Sequence, residues 1–500
     1  MRRPTLLYAV LEKRAWLRYE VFVTQLANAG ARAATHYENP RLTRVRTVTK
    51  TTFQRWLSGT QEPRGEAAVV IEFWLGYTVK ELLGPAPERE LVLARSLHDA
   101  SLAAAHSLDV KFDTSFLSVA APVPGAGGVW HLDGLRILDG TAVAVQMYET
   151  ALQPSCVVIG PEDLEHLRYF TQSRRRALLL GSLGAQGASD LYALDAAHAR
   201  RQLAMPVQRL PIPIPYRLDY VTYALLWAGL NVDDSLLADD RALHVEQQSL
   251  ESHLEQGRSS AARTAYADLS NVGALWLGSR TCAAFVHRHL NVGEVSPVMW
   301  SRTQFGEQAA AWLLFRERHG IQQLMQDRSF GLDGTPGCAL CVPESAVHSS
   351  EPYERLLLLL AVALMESYGL NVWVCAEEDY SRLPEFHLGS DQRVIVADWL
   401  DPDAVWNVES VCGRGATDAF AQAIHHAQVR SVASGATPHE RIRALADYLG
   451  LSPEWAGLVK RCRELGSYGT AGLLRTRSRL IHTGEIDRAL QFLGGLGPAS

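Results

Sequence analysis

With 500 residues, 47% hydrophobic and 20% charged, the chain is too apolar to be disordered and has material for two to four domain cores. Its longest apolar run, 356–365, is about half of the ~20 residues that cross a bilayer. No membrane partner is therefore expected, and seven scattered cysteines fit a reducing, cytoplasmic setting without a disulfide framework.

Charge is uneven along the chain. Residues 1–64 hold twelve Lys/Arg against four Asp/Glu, a net of +8, so within the total of −6 residues 65–500 carry −14. A basic head is drawn to phosphates and an acidic body is repelled by them, which favours docking by the head.

The first predicted elements are helices over residues 6–14 and 19 to about 34. The apolar stretch 6–11 runs straight into Glu12, Lys13 and Arg14, so no signal peptide is expected. Thr49 then reads as an N-cap and Gly59 as a C-terminal stop for a short helix. Inside it Phe53, Trp56 and Leu57 fall at i, i+3, i+4 and make one apolar stripe. Thr51, Gln54, Arg55 and Ser58 point the other way. Hydroxyls, an amide and a guanidinium are groups that bond base edges and phosphates in a major groove. Helices over 66–76 and 79–83 follow. Phe53, Trp56, Phe73, Trp74, Leu75 and Leu82 are the expected core of this all-helical module, residues 1–84.

The run TVTKTTFQRWLSGTQEPRGEAAVVIEFWLGYTVKELLG resembles the helix-turn-helix of the XRE (Cro-type) transcriptional regulators, in a variety common in high-GC bacteria. The likeness is strongest over residues 45–84 and extends over 5–84. Family members read Val-Ser-x-x-Thr-Val-x-Arg-Trp-x-x-Gly through the recognition helix, matched by Val48, Thr49, Thr52, Phe53, Arg55, Trp56 and Gly59. Ala68, Ile71, Leu75, Gly76, Glu81, Leu82 and Leu83 match the later segments. The chain departs from the family before the recognition helix. A tight turn is replaced by HYENPRLTRVRTV, which either packs locally or reaches the phosphate backbone through Arg41, Arg44 and Arg46. The resemblance implies a sequence-specific transcriptional regulator that binds double-stranded DNA as a homodimer. Lys50, Thr51, Gln54 and Arg55 would meet bases and phosphates, with Ser58, Arg44, Arg46 and Arg64 on the backbone. The remainder would be a sensor or oligomerisation body taking a small-molecule or protein effector.

Beyond the module a mixed α/β and helical body is expected, so the fold class reads as mainly α with α/β portions. Residues 85–188 combine a connecting helix with a small α/β region. Its β-favouring runs are FLSVAAPVP, GVWHL, LRIL, TAVAVQMYE and CVVIG. A helix after Pro161 extends through ALLL and carries Arg174, Arg175 and Arg176 on a solvated face. Residues 189–330 read as mainly helical, with LPIPIPY (210–216) an extended linker or edge segment because alternate prolines forbid a helix. Residues 331–435 read as α/β: a buried helix leads to strand NVWVC, then FHLG and strand RVIVADWL. Residues 436–500 are helical.

No catalytic residue, metal or cofactor is expected. Cys338 and Cys341 form a C-x-x-C with no second pair at ligand spacing, and read as buried thiols. Cys375 and His387 are candidates to meet in space. His131 and Asp133, after glycines 125, 127 and 128, lack the strand–glycine–helix order of a phosphate loop and read as a turn. Glu377, Glu378 and Asp379 stand where NVWVC ends, the edge at which open α/β sheets bind ligands; the plain reading is a solvated helix start. His425 and His426 lie on a helix with no Cys or carboxylate partner visible. Two other readings stay open: an enzyme of unknown chemistry with its site within 338–398, and an adaptor whose N-terminal bundle holds a protein.

Overall fold

A computed structural model describes residues 5–84 and 127–497, apart from 14–15, 18, 38, 45–47, 76–77, 173–175, 184–189, 251–253, 291–297, 329–335 and 390–392. The expected connecting helix of 85–112 and the run at 116–124 lie outside the described residues.

The N-terminal helices stand where the periodicity places them: α1 (Leu6–Lys13), α2 (Tyr19–His36), α3 (Lys50–Leu57), α4 (Glu66–Leu75) and α5 (Val79–Leu83). They enclose a core of their own that includes Leu7, Leu11, Phe22, Phe53, Trp56, Ile71, Trp74 and Leu75. Phe22 of α2 stacks on Phe53 of α3 with ring centroids 4.1 Å apart and meets Trp56 edge-on at 6.4 Å. Burying such a ring contributes roughly 1.5–3 kcal/mol, and pair geometry adds about 0.5–1.5 kcal/mol. That matters for α3, because an eight-residue helix is unstable by itself. Between α2 and α3 a 3-10 turn, Pro40–Arg44, buries Leu42 in the same core, so this part of the inserted stretch packs locally.

The body holds two mixed sheets. The first contains β1 (Gly127–Leu132), β2 (Thr141–Leu152), β3 (Cys156–Ile159), β4 (Ala177–Leu183), β5 (Asp190–Asp195) and β6 (Leu210–Pro213), in the order β5-β4-β2-β3-β6 with β1 also paired to β2. Its helices are α6 (Leu164–Thr171) and α7 (Ala196–Leu203), and α8 (Tyr220–Ser249) follows. The proline-spaced segment forms the edge strand β6, where a missing N–H is tolerated.

The second sheet runs β10-β9-β8-β11-β12-β13-β7. Its strands are β7 (Arg258–Ala262), β8 (Val298–Ser301), β9 (Gly337–Cys341), β10 (Asn371–Cys375), β11 (Phe386–Leu388), β12 (Arg393–Asp398) and β13 (Ala404–Cys412). β8, β9 and β10 are parallel, connected through α10 (Gly306–Leu314) and α11 (Arg316–Arg328), then α12 (Glu344–Ser349) and α13 (Pro352–Ser367). α9 (Asn271–His289) precedes β8, while α14 (Arg414–Arg430), α15 (Pro438–Tyr448), α16 (Trp455–Tyr468) and α17 (Gly484–Gly495) complete the chain.

Period-two alternation gives this sheet two covered faces. Met299, Cys338, Leu340, Val372, Val374, Ile395 and Ala397 enter the main core of the body, which contains α13. Trp300, Ala339, Cys341, Cys375, Val394 and Val396 enter a smaller core closed by Ala423, Ile424 and Ala427 of α14. A buried carboxylate joins the two sheets. Glu307 of α10 accepts backbone N–H bonds from Leu135 at 2.6 Å and Arg136 at 2.9 Å, and from Ile137, in the β1–β2 connection.

Several expectations change. ALLL is β4 rather than the end of a helix, since a short apolar run buried in mid-sheet has no helical period to reveal it. LRIL forms no strand. The stretch 189–330 contributes strands to both sheets, so strands of each sheet lie on both sides of the expected boundaries at 188 and 330. Arg176 is not on a solvated helix face: it precedes β4, is buried, and pairs with Asp233 and, at 2.9 Å, Asp234. Arg174 and Arg175 lie outside the described residues.

Candidate nucleic-acid interface

Both ends of α3 are fixed by neighbouring elements. At its start the Thr49 hydroxyl accepts from the Thr52 N–H at 3.2 Å, and the Tyr19 hydroxyl of α2 donates to the Val48 carbonyl at 2.6 Å. At its end the chain turns through Gly59 at φ +66°. The Thr60 N–H returns to the Arg55 carbonyl (2.9 Å) and the Gly59 N–H to Trp56 (3.0 Å), the paired bonds of a Schellman stop. The Thr5 hydroxyl donates to the Leu57 carbonyl at 2.7 Å. A positive φ is why glycine stands at 59.

With its ends clamped, α3 has one orientation. Phe53 and Trp56 keep only 2% and 4% exposure. Lys50, Thr51, Gln54, Arg55 and Ser58 are exposed. No acidic side chain interrupts that face, because KTTFQRWL contains none. Thr52 is half-buried, with its hydroxyl 2.9 Å from that of Thr49. The Ser58 hydroxyl donates to the Arg55 carbonyl at 3.1 Å and lies 2.9 Å from the Thr60 hydroxyl, so it serves the helix end. Arg41 and Arg64 are exposed beyond the two ends of the helix. Arg44 closes the 3-10 turn, with only its backbone described, and Arg46 lies outside the described residues. Chemically, the face offers a bidentate amide, a forked guanidinium, an ammonium and a hydroxyl within one and a half turns.

The other constellations rearrange in the body. The C-x-x-C lies in β9, where residues three apart face opposite sides, so Cys338 and Cys341 enter different cores and cannot share a ligand. The neighbour of Cys341 is Cys375, directly beside it in β10. The adjacent Cys375 thiol, together with burial, pushes the Cys341 pKa well up. His387 does not join them. It is buried in β11 with neither ring nitrogen bonded, and burial, aided by Arg318 and His287 nearby, pushes its pKa down to about 3. His426, without a visible partner in the sequence, has its Nε2 3.1 Å from Oε1 of Glu377. Glu377 in turn has its Oε2 3.1 Å from the Cys375 sulfur. His131 lies within β1 opposite Ala142, in a strand rather than a turn.

Compared with known proteins, the chain matches no protein-family model, no curated protein and no solved structure. Among the described residues no helix is long and apolar enough to cross a membrane.

Proposed function

We propose that the chain is a DNA-binding transcriptional regulator of the XRE kind, in which α3 lies in the major groove and residues 127–497 form a sensor or assembly body. The observation that carries this reading is the division of α3 itself. Its aromatic side is buried in the module, and its amide, guanidinium, ammonium and hydroxyl side faces solvent from a segment of net charge +8. Lys50, Thr51, Gln54 and Arg55 are assigned to base edges and phosphates. Arg64, with Arg41, Arg44 and Arg46 before the helix, is assigned to the sugar–phosphate backbone. A second copy would place its own helix in the next half-site, about 34 Å along the duplex.

A mobility-shift assay on DNA flanking the protein's own gene tests this, run at two salt concentrations with random competitor. Gln54→Ala should lower the preference for the specific site over competitor by about 1–3 kcal/mol, roughly 5- to 150-fold. Arg64→Ala should weaken all sequences alike and reduce the salt slope by about one unit. Absence of any shift at low salt, or both variants matching the wild type, would remove the groove assignment.

A further inference from the structure

The carboxyl ends of parallel strands, where the connecting chain departs, are the edge at which open α/β sheets bind ligands. At that edge of β9 and β10 the fold collects a mixed donor set from two separate segments. Cys375 ends β10, Glu377 follows two residues later, and His426 comes from α14. One potential ligand atom from each, sulfur, carboxylate oxygen and imidazole nitrogen, lie within 4.8 Å of one another. Two of the separations, sulfur to Glu377 and Glu377 to His426 Nε2, are 3.1 Å. Ligands 2.0–2.3 Å from one tetrahedral ion sit about 3.3–3.5 Å apart, so those two separations need to open by only a few tenths of an ångström to hold a cation.

We propose that Cys375, Glu377 and His426 bind one zinc-class divalent cation, with its fourth position open to solvent or a small ligand. Thiolate, imidazole and carboxylate together select zinc over the hard cations magnesium and calcium, which take oxygen alone. Glu377 keeps 43% of its side chain exposed, which gives the ion an entry path from that side. Binding releases the Cys375 thiol proton to solvent as the sulfur–metal bond forms.

The surroundings hold each donor in place. Tyr380 stacks on the His426 ring with centroids 4.8 Å apart, fixing its tilt. The contact between His426 Nε2 and Glu377 lies off line for an N–H bond, so that nitrogen is uncommitted. α14 is held over β10 by Ala423, Ile424 and Ala427 in the small core. Past its end the Ser431 hydroxyl accepts from the Val374 N–H at 2.9 Å, and the Val432 N–H donates to the Val374 carbonyl at 3.0 Å. Cys341 lies beside two donors: it stands next to Cys375 in the adjoining strand, and its thiol donates toward the Glu377 carbonyl at 3.8 Å. Hydrogen-bonded neighbours of this kind orient metal ligands and tune affinity. The exposed carboxylates of Glu344 and Glu378 stand at the same edge and favour a cation.

The site is independent of the N-terminal reading, and so is its test. Full-length protein stripped with a chelator is titrated with Zn²⁺ against a chromophoric competitor, and with Co²⁺ followed by absorption. The expected result is one equivalent of either metal per chain, with a thiolate-to-cobalt band in the near ultraviolet. Cys375→Ser should abolish that band and His426→Ala should weaken Zn²⁺ at least tenfold. His425→Ala and Cys412→Ser, at exposed positions beyond the donor set, should bind as the wild type does. His426 is only partly buried, so metal-free His426→Ala, though it loses the Tyr380 stack, should still unfold cooperatively, which keeps the test valid if Cys375→Ser misfolds. Failure of the wild type to take up one equivalent, or unchanged affinity in His426→Ala, would overturn the site.

Discussion

In the N-terminal module Arg41, Arg55 and Arg64 stand in solvent, whereas in the body Arg176, Arg318, Arg441 and Arg461 are drawn inside onto carboxylates. Arg318 is fully buried between Ser279 and Glu385, 2.8 Å from the carboxylate, with its guanidinium 4.3 Å from the Trp399 ring centroid. Arg441 clamps Glu366 through two nitrogens at 2.7 and 2.6 Å, and Arg461 of α16 reaches Asp219 at the start of α8. Taking such ions out of water costs several kcal/mol, offset only because nearly every donor finds an acceptor. These arginines join elements far apart in sequence and cannot be released to a phosphate. The arginines of the module keep their hydration and lose little on meeting one. Abundance of Arg therefore says nothing about nucleic acid; where the fold puts it does.

That contrast can be broken or sharpened by substitution, beginning where the effect is largest. Arg318→Ala leaves Glu385 buried without its cation and should cost the body about 3–5 kcal/mol, read as a lowered urea midpoint. Phe53→Ala removes the ring stacked on Phe22. It should cost the module about 3–5 kcal/mol and abolish DNA binding, while tryptophan-free probes of the body, such as reactivity of buried Cys462, stay unchanged. Acid should expose a third difference. His387 and His319 are held neutral to about pH 3 and about pH 4, chiefly by burial, whereas unfolded histidines take up protons near pH 6.5. Their contribution to stability is complete above about pH 6.5 and is lost as the pH falls toward 4. Glu385 and Asp233, pushed up by burial, act with the opposite sign, so the informative quantity is the difference between His387→Leu and wild type. That variant should flatten the acid limb of the melting profile. The smallest effect is expected at Arg55: Arg55→Ala should leave stability within about 0.5 kcal/mol yet weaken DNA binding severalfold, measured by melting and mobility shift on the same sample.

The module was legible because its signals are local. The Thr49 cap, the Gly59 stop and the Phe53/Trp56 stripe each lie within one helix, and α1, α2, α4 and α5 follow from the same period. The strands NVWVC and RVIVADWL were legible as apolar runs, and the proline segment as an extended linker or edge. The rest of the second sheet was hidden for physical reasons. β8 and β9 have only four and five residues, and the nine-residue β13 has a register shift between Ala404 and Trp406 that breaks its alternation, so neither length nor alternation marks them. Cys338 and Cys341 looked paired only while β9 was not known to be extended, since alternation sends them apart. His426 looked unpartnered because Cys375 and Glu377 reach it only after α14 folds across β10. A donor set assembled from a strand end, a loop and a distant helix leaves no spacing to read.

A photo-crosslinking residue placed in full-length protein at position 54, and separately at position 169 on an exposed flank of the body (Tyr169 is 80% exposed), reports directly which surface meets the duplex. With α3 in the groove, adducts with bound double-stranded DNA form from position 54 and not from position 169. DNA retained without an adduct at 54, or with equal adducts from both positions, would contradict the assignment of this helix.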